Sequence, residues 1–346
     1  MTRRLRLLCW EGYDSRAILD PFAERHGADV AAETLLSDAA AAAGLVAGDI
    51  RRFDVLNINN AYVRDYLYPR GLIATLDESR FAELVRAPAG AFERHVAWTR
   101  SLDGNLIGIC QRFGPFNMVV NTRRIDLGTA EDQGFALAAD PLCRQRYAIL
   151  EYEDFNLFHL CIAAGINPFT PLDAGQEEAV VDLARRWYAG AAMASADHHR
   201  LNKALIDGEI DFYLSGGVYT VSPARLEGHV HLRAVTPRRG PIDGKGGIAF
   251  TEITSVLDRP QRSPLAEPFL AYLLEPETAV RAAFAQGTCN PVVQMHDPRI
   301  FGAFSKPELL AIQWDTLLED MSCCADYQLM PNHDRLLTRI RSMRLG

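Results

Sequence analysis

The chain has 346 residues, 48% of them hydrophobic and 23% charged, an ordinary globular balance that excludes disorder, collagen and coiled coil. Thirty-six Lys and Arg face 44 Asp and Glu, and the formal charge of -8 argues against nucleic acid or an anionic membrane as the main partner. It suits a cationic ligand. At this length two lobes are the expectation.

In chain order, Leu5 to Trp10 reads as a buried strand. A helix carrying Ile18, Leu19 and Phe22 follows and stops at Gly27. Asp29 to Thr34 is a second strand, and the Ala-rich run Ser37 to Val46 is a helix with Ser37 as its N-cap. Phe53 to Ile58 is a third strand, and Tyr62 to Tyr68 a helix ended by Pro69-Arg70-Gly71. This alternation predicts a parallel sheet with crossover helices. Further on, Leu106 to Cys110 and Met118 to Asn121 read as two strands, and Asn156 to Ala164, Glu177 to Ala189 and Asp197 to Ile206 as helices. Asp211 to Leu214 and Ile248 to Ile253 are strands. Pro264 and Pro276 flag two late helices, Leu265 to Leu274 and Glu277 to Gln286. The tail holds helices around Trp314 to Ala325 and His333 to Met343.

Seven cysteines, an odd number that includes the adjacent pair Cys323-Cys324, do not read as a disulfide framework and favour a reducing compartment. Met1 to Arg4 runs into an apolar stretch too short for a secretory core, so the expectation is a cytoplasmic chain or one that has lost its leader. Gly240 to Lys245 misses the P-loop spacing, and Gly244 to Ala249 precedes a strand where a dinucleotide loop must follow one. Tyr213 to Gly217 lacks the first glycine of a nucleophile elbow. His229 and His231 read as two exposed residues of one strand, with no third metal ligand. The pair His198-His199 reads as a solvent-facing helix start. No catalytic residue, metal site or cofactor is expected. An enzyme using Cys323, Cys324 and His159 on a small nitrogenous metabolite is the rival reading.

Three segments combine aromatic and polar residues where parallel strands should end: Trp10-Glu11-Gly12-Tyr13-Asp14, Asn57 to Tyr62, and Phe250-Thr251-Glu252. Aromatic faces beside a carboxylate suit an organic cation. The plainer alternative makes Trp10 and Phe250 core residues and leaves Glu252 exposed.

Leu7 to Tyr13, the helix with Pro21-Phe22, Phe53-Asp54-Val55, Tyr62-Val63, Gly71-Leu72-Ile73, Phe113-Gly114-Pro115, Asp207 to Asp211 and Gly246 to Glu252 follow one another in an order that resembles bacterial solute-binding proteins of ABC transporters, nearest the spermidine/putrescine-binding branch. The resemblance covers most of the chain. It implies a periplasmic-binding-protein-like type II fold: two α/β lobes, a ligand cleft, hinge crossovers and a periplasmic location. The expected divisions are 1–117 with 252–300, 118–251, and C-terminal helices 301–346 packing across the lobes, with hinges near Met118 to Asn121 and Thr251 to Ser255. It implies a pocket lined by Trp10, Tyr13, Asn59, Asn60 and Phe113, with Phe250 and Glu252 gripping an amine. It further implies permease subunits as partners and a monomeric chain. The segment Tyr213 to Gly216 lacks the tryptophan of the polyamine binders, Glu151, Glu153 and Asp154 are candidates for their second acidic cluster, and Arg112 suits a carboxylate. A small amine or a zwitterion is therefore the expected ligand.

Overall fold

A computed structural model describes residues 3–81, 90 and 92–345. Its ten strands are β1 (Arg3–Cys9), β2 (Ala28–Thr34), β3 (Val55–Asn59), β4 (Ile109–Asn121), β5 (Tyr147–Leu150), β6 (Met193–Ser195), β7 (Phe212–Gly216), β8 (Leu232–Val235), β9 (Gly247–Val256) and β10 (Cys324–Asp326). The chain forms two compact units, residues 1–113 with 250–305 and residues 114–249 with 306–346. Strands β4 and β9 carry the chain from one unit to the other at Phe113/Gly114 and Ala249/Phe250, upstream of the segments read as hinges.

In the first unit the sheet runs β2-β1-β3-β9. Leu5 of β1 lies beside Val30 of β2 and Leu7 beside Val55 of β3, both parallel, as the alternation of strands and helices predicts. Strand β9 is antiparallel to β3 and sets Asn59 opposite Glu252 and Asn57 opposite Thr254. Opposed residues share a face, so this register fixes which side chains meet. Ser15 and Ser37 cap helices Arg16–His26 and Asp38–Ala47 by accepting from the amides of Ala17 and Ala40. Gly27 ends the first of these helices at φ 56°, where its amide donates to the carbonyls of Ala23 and Glu24. The apolar face of that helix, Ile18 and Phe22, packs on helix Ala266–Leu273, and the rings of Phe22 and Phe269 meet edge to face at 5.0 Å. Each such fully buried side chain contributes about 1.5–3 kcal/mol.

In the second unit the order is β4-β7-β5-β6, with β8 on β4 and β10 on β9. Every residue of β5 and β7 is buried, the continuous apolar run of a strand covered on both faces. Leu150, Leu201, Leu205, Tyr213 and Val221 form its core. The last helix, His333–Leu345, packs on helices Glu153–Ala163 and Ala174–Gly190. His333 Nε2 meets Asp154 Oδ1 at 2.8 Å, Asn332 donates to Glu177 at 2.7 Å, and Arg335 pairs with the same buried carboxylate. The segment from Lys306 onward therefore belongs with the second unit, where the sequence reading had set 301–346 apart.

Other expectations are corrected. Leu106 to Asn121 does not hold two strands: β4 is one buried strand of 13 residues, and Arg112 to Asn117 continue it without a turn. Tyr62–Leu67 is a π-helix rather than an ordinary helix. The tail segment Trp314 to Ala325 is helical only over Leu317–Ser322 and then enters β10, while a separate short helix, Lys306–Ala311, precedes it. His229 and His231 lie in the turn before β8, not on a strand. His198 is buried, because it opens its helix on the core side. No disulfide joins any of the seven cysteines, all of which lie within the described residues.

Candidate ligand-binding site

The site is built within the first unit, from the turn after β1, the end of β3, the start of β4 and the first-unit part of β9. All seven expected residues lie there and all are buried: Trp10, Tyr13, Asn59, Asn60, Phe113, Phe250 and Glu252. The plainer alternative is thus half right. Trp10 and Phe250 are covered, but so is Glu252.

Arg112 organises the site. Its Nε donates to Glu252 Oε2 at 2.8 Å, its Nη2 donates to the Glu11 carbonyl at 2.8 Å, and its guanidinium carbon stands 4.5 Å from the centre of the Tyr13 ring. One cation therefore gathers the acid and an aromatic face that the sequence reading had assigned to a ligand amine. Burial pushes the Glu252 carboxyl up against the pull of Arg112, and the same acid holds the guanidinium above its ordinary range. Cys9, buried beside them, has its thiol pushed up by burial and by Asp14. Gly12 makes the close approach possible. Its φ of 102° suits glycine, and a Cβ there would stand 2.8 Å from Arg112 Nη1 and 2.9 Å from Ala285 Cβ.

A second group surrounds Asp38, a fully buried acid in the first turn of helix Asp38–Ala47. Its Oδ1 accepts the Trp10 indole N–H at 2.9 Å, and its Oδ2 accepts from Asn59 Nδ2 at 2.7 Å. Asp38 thus ties two expected residues together. A third group joins Asn60, whose Oδ1 accepts the Thr251 amide at 3.2 Å, to His95, whose Nδ1 meets Thr251 Oγ1 at 2.6 Å. The His95 ring lies 4.2 Å from that of Phe113. Burial holds His95 down at about 3, so its imidazole is neutral.

Sequence reasoning missed Asp38 and His95. An acid directly after a helix N-cap was a usable signal for Asp38. Nothing local marked His95, which reaches the site only through the fold.

The groups named for the rival enzyme reading do not assemble. His159 Nδ1 meets Ser215 Oγ at 2.9 Å, its ring stacks on Phe135 at 3.9 Å, and its Nε2 is buried without a partner. Burial holds it down at about 3. Cys324 Sγ is turned to the Asp320 carbonyl, 3.2 Å away. Among the described residues there is no cluster of three His, Cys, Asp or Glu placed to hold a metal. Nor is any helix among them long and apolar enough to cross a membrane.

This two-unit α/β architecture, with two strands running from one unit into the other, is the fold of substrate-binding proteins of ABC transporters. Three solved structures carry that likeness over whole chains. The spermidine/putrescine ABC transporter substrate-binding protein PotD of Streptococcus pneumoniae aligns at TM-score 0.66 with 16% identity, over 99% of this chain and 100% of that one. The Tp0655 (TpPotD) lipoprotein of Treponema pallidum aligns at 0.69 with 12% identity, over 99% and 100%. The binding protein AgtB of A. tumefaciens R10, in complex with agropinic acid, aligns at 0.65 with 15% identity, over the full length of both chains. No protein-family model and no curated protein matches the sequence.

Proposed function

We propose that the chain is the solute-binding protein of an ABC transporter: it captures a small amine-bearing ligand and delivers it to permease subunits, acting as a periplasmic monomer. The observation that carries this reading is the gathering of Trp10, Tyr13 and Glu252 on neighbouring elements of one unit, in a chain that has this fold from end to end. The net charge of -8 favours approach of a cation. Proteins of this fold include a spermidine/putrescine transport protein and one in complex with agropinic acid, so the fold itself leaves the ligand's chemistry to the side chains. No bond is made or broken in this role.

A thermal-shift panel of putrescine, spermidine, agmatine and amino acids tests it. A ligand at 100 times its Kd adds about 2.7 kcal/mol to the native state, enough for a clear rise in melting temperature. Binding without turnover is the expected result. Chemical conversion of a bound compound, or no shift with any amine, overturns the reading.

A further inference from the structure

The acid expected to grip a ligand's ammonium, and one of the rings expected to line its pocket, are already taken by Arg112. The Glu252 carboxylate accepts its Nε–H at 2.8 Å, and the Tyr13 ring lies under its guanidinium at 4.5 Å. A ligand made only of ammonium groups would therefore meet a buried positive charge at the point where it needs a negative one. A guanidinium carries five N–H donors. Here Nε serves Glu252 and Nη2 serves Glu11, and among the described residues no acceptor is bonded to Nη1. Gly12 offers no side chain beside that nitrogen. A planar fork with unused donors calls for a carboxylate. Negative charge remains nearby as well: Glu11, whose carbonyl accepts from Arg112, is itself an acid, so the group holds two acids to one base.

We propose that the solute held at this site is a zwitterion, its carboxylate on Arg112 Nη1 and its ammonium beside the Glu11–Glu252 acids, rather than a polyamine. The inference rests on the solute-binding reading and names the ligand class for the same site.

The experiment uses pairs of compounds that differ by one carboxylate. Ornithine is compared with putrescine and arginine with agmatine, with γ-aminobutyrate and spermidine added, all by titration calorimetry on the full chain. The expected result is that the carboxylate-bearing member of at least one pair binds ten-fold or more tightly than its decarboxylated partner. Arg112→Lys keeps the charge opposite Glu252 but not the fork, and is expected to cost that ligand at least ten-fold and to narrow its advantage over the paired amine. If Arg112→Lys does not fold, the neutral pair Arg112→Gln with Glu252→Gln takes its place and is expected to abolish the preference. Tighter binding of the amine in both pairs overturns the zwitterion inference and leaves the solute-binding reading intact. A preference that survives removal of the guanidinium also overturns it. Binding of none of the six compounds overturns both.

Discussion

The indole N–H of Trp10 donates to Asp38 Oδ1 at 2.9 Å, and the same carboxylate accepts from Asn59 Nδ2 at 2.7 Å. An acid 28 positions further along the chain thereby sets the orientation of the aromatic residue that follows β1. Removing it strands two buried donors, each costing about 1–3 kcal/mol. Asp38→Ala is expected to lower stability by about 2–6 kcal/mol in urea unfolding and to shift tryptophan emission. A loss under about 0.5 kcal/mol, the scale of an ordinary surface substitution, would show that the carboxylate does not hold Trp10.

The Arg112–Glu252 pair is buried on both sides, with side chains 6% and 10% exposed. Breaking one partner leaves the other charge without compensation at about 3–5 kcal/mol, whereas neutralising both is far milder. Glu252→Ala is therefore expected to be strongly destabilising, and the double substitution Arg112→Gln with Glu252→Gln to recover most of the loss. Additive losses in the double variant would exclude a direct pair.

Gly12→Ala would force φ 102° on an L-residue and set a methyl 2.8 Å from Arg112 Nη1. A loss of more than about 1 kcal/mol is expected from backbone strain alone. Unchanged thermal stability would mean that the turn relaxes freely and does not position Arg112.

His95 and His159 are held down at about 3 by burial, against an ordinary value near 6.5. Between those values the unfolded chain binds more protons than the folded one, so stability falls as pH falls from 6.5 toward 3. Each histidine contributes a slope of about 1.4 kcal/mol per pH unit. His159→Gln and His95→Gln should each flatten the acid limb of a stability–pH profile measured by urea unfolding. A limb as steep in both variants as in the parent protein would assign acid unfolding to other groups.

Much of this molecule was legible from local chemistry. The parallel β1–β2–β3 start, the serine cap at Ser37 and the glycine stop at Gly27 follow from hydrophobic period and backbone preference, which act over a few residues. The same signals fail where the partner is distant. Nothing between Leu106 and Asn121 announces a single long strand, because its continuity depends on neighbours such as Val235 of β8, paired with Met118, and Tyr213 of β7, paired with Val119.

The candidate residues themselves could be named from sequence, since aromatic and acidic types at strand ends imply their chemistry. What each one faces was decided by tertiary structure alone. Arg112 and Glu252 are 140 residues apart, and only the fold brings the guanidinium onto the carboxylate at 2.8 Å. That contact turns an acid read as a ligand's counter-charge into half of an internal ion pair. The sequence determined the inventory of charges, and the fold determined which charge remains to be met by a ligand, because charge compensation depends on separation in space and not along the chain.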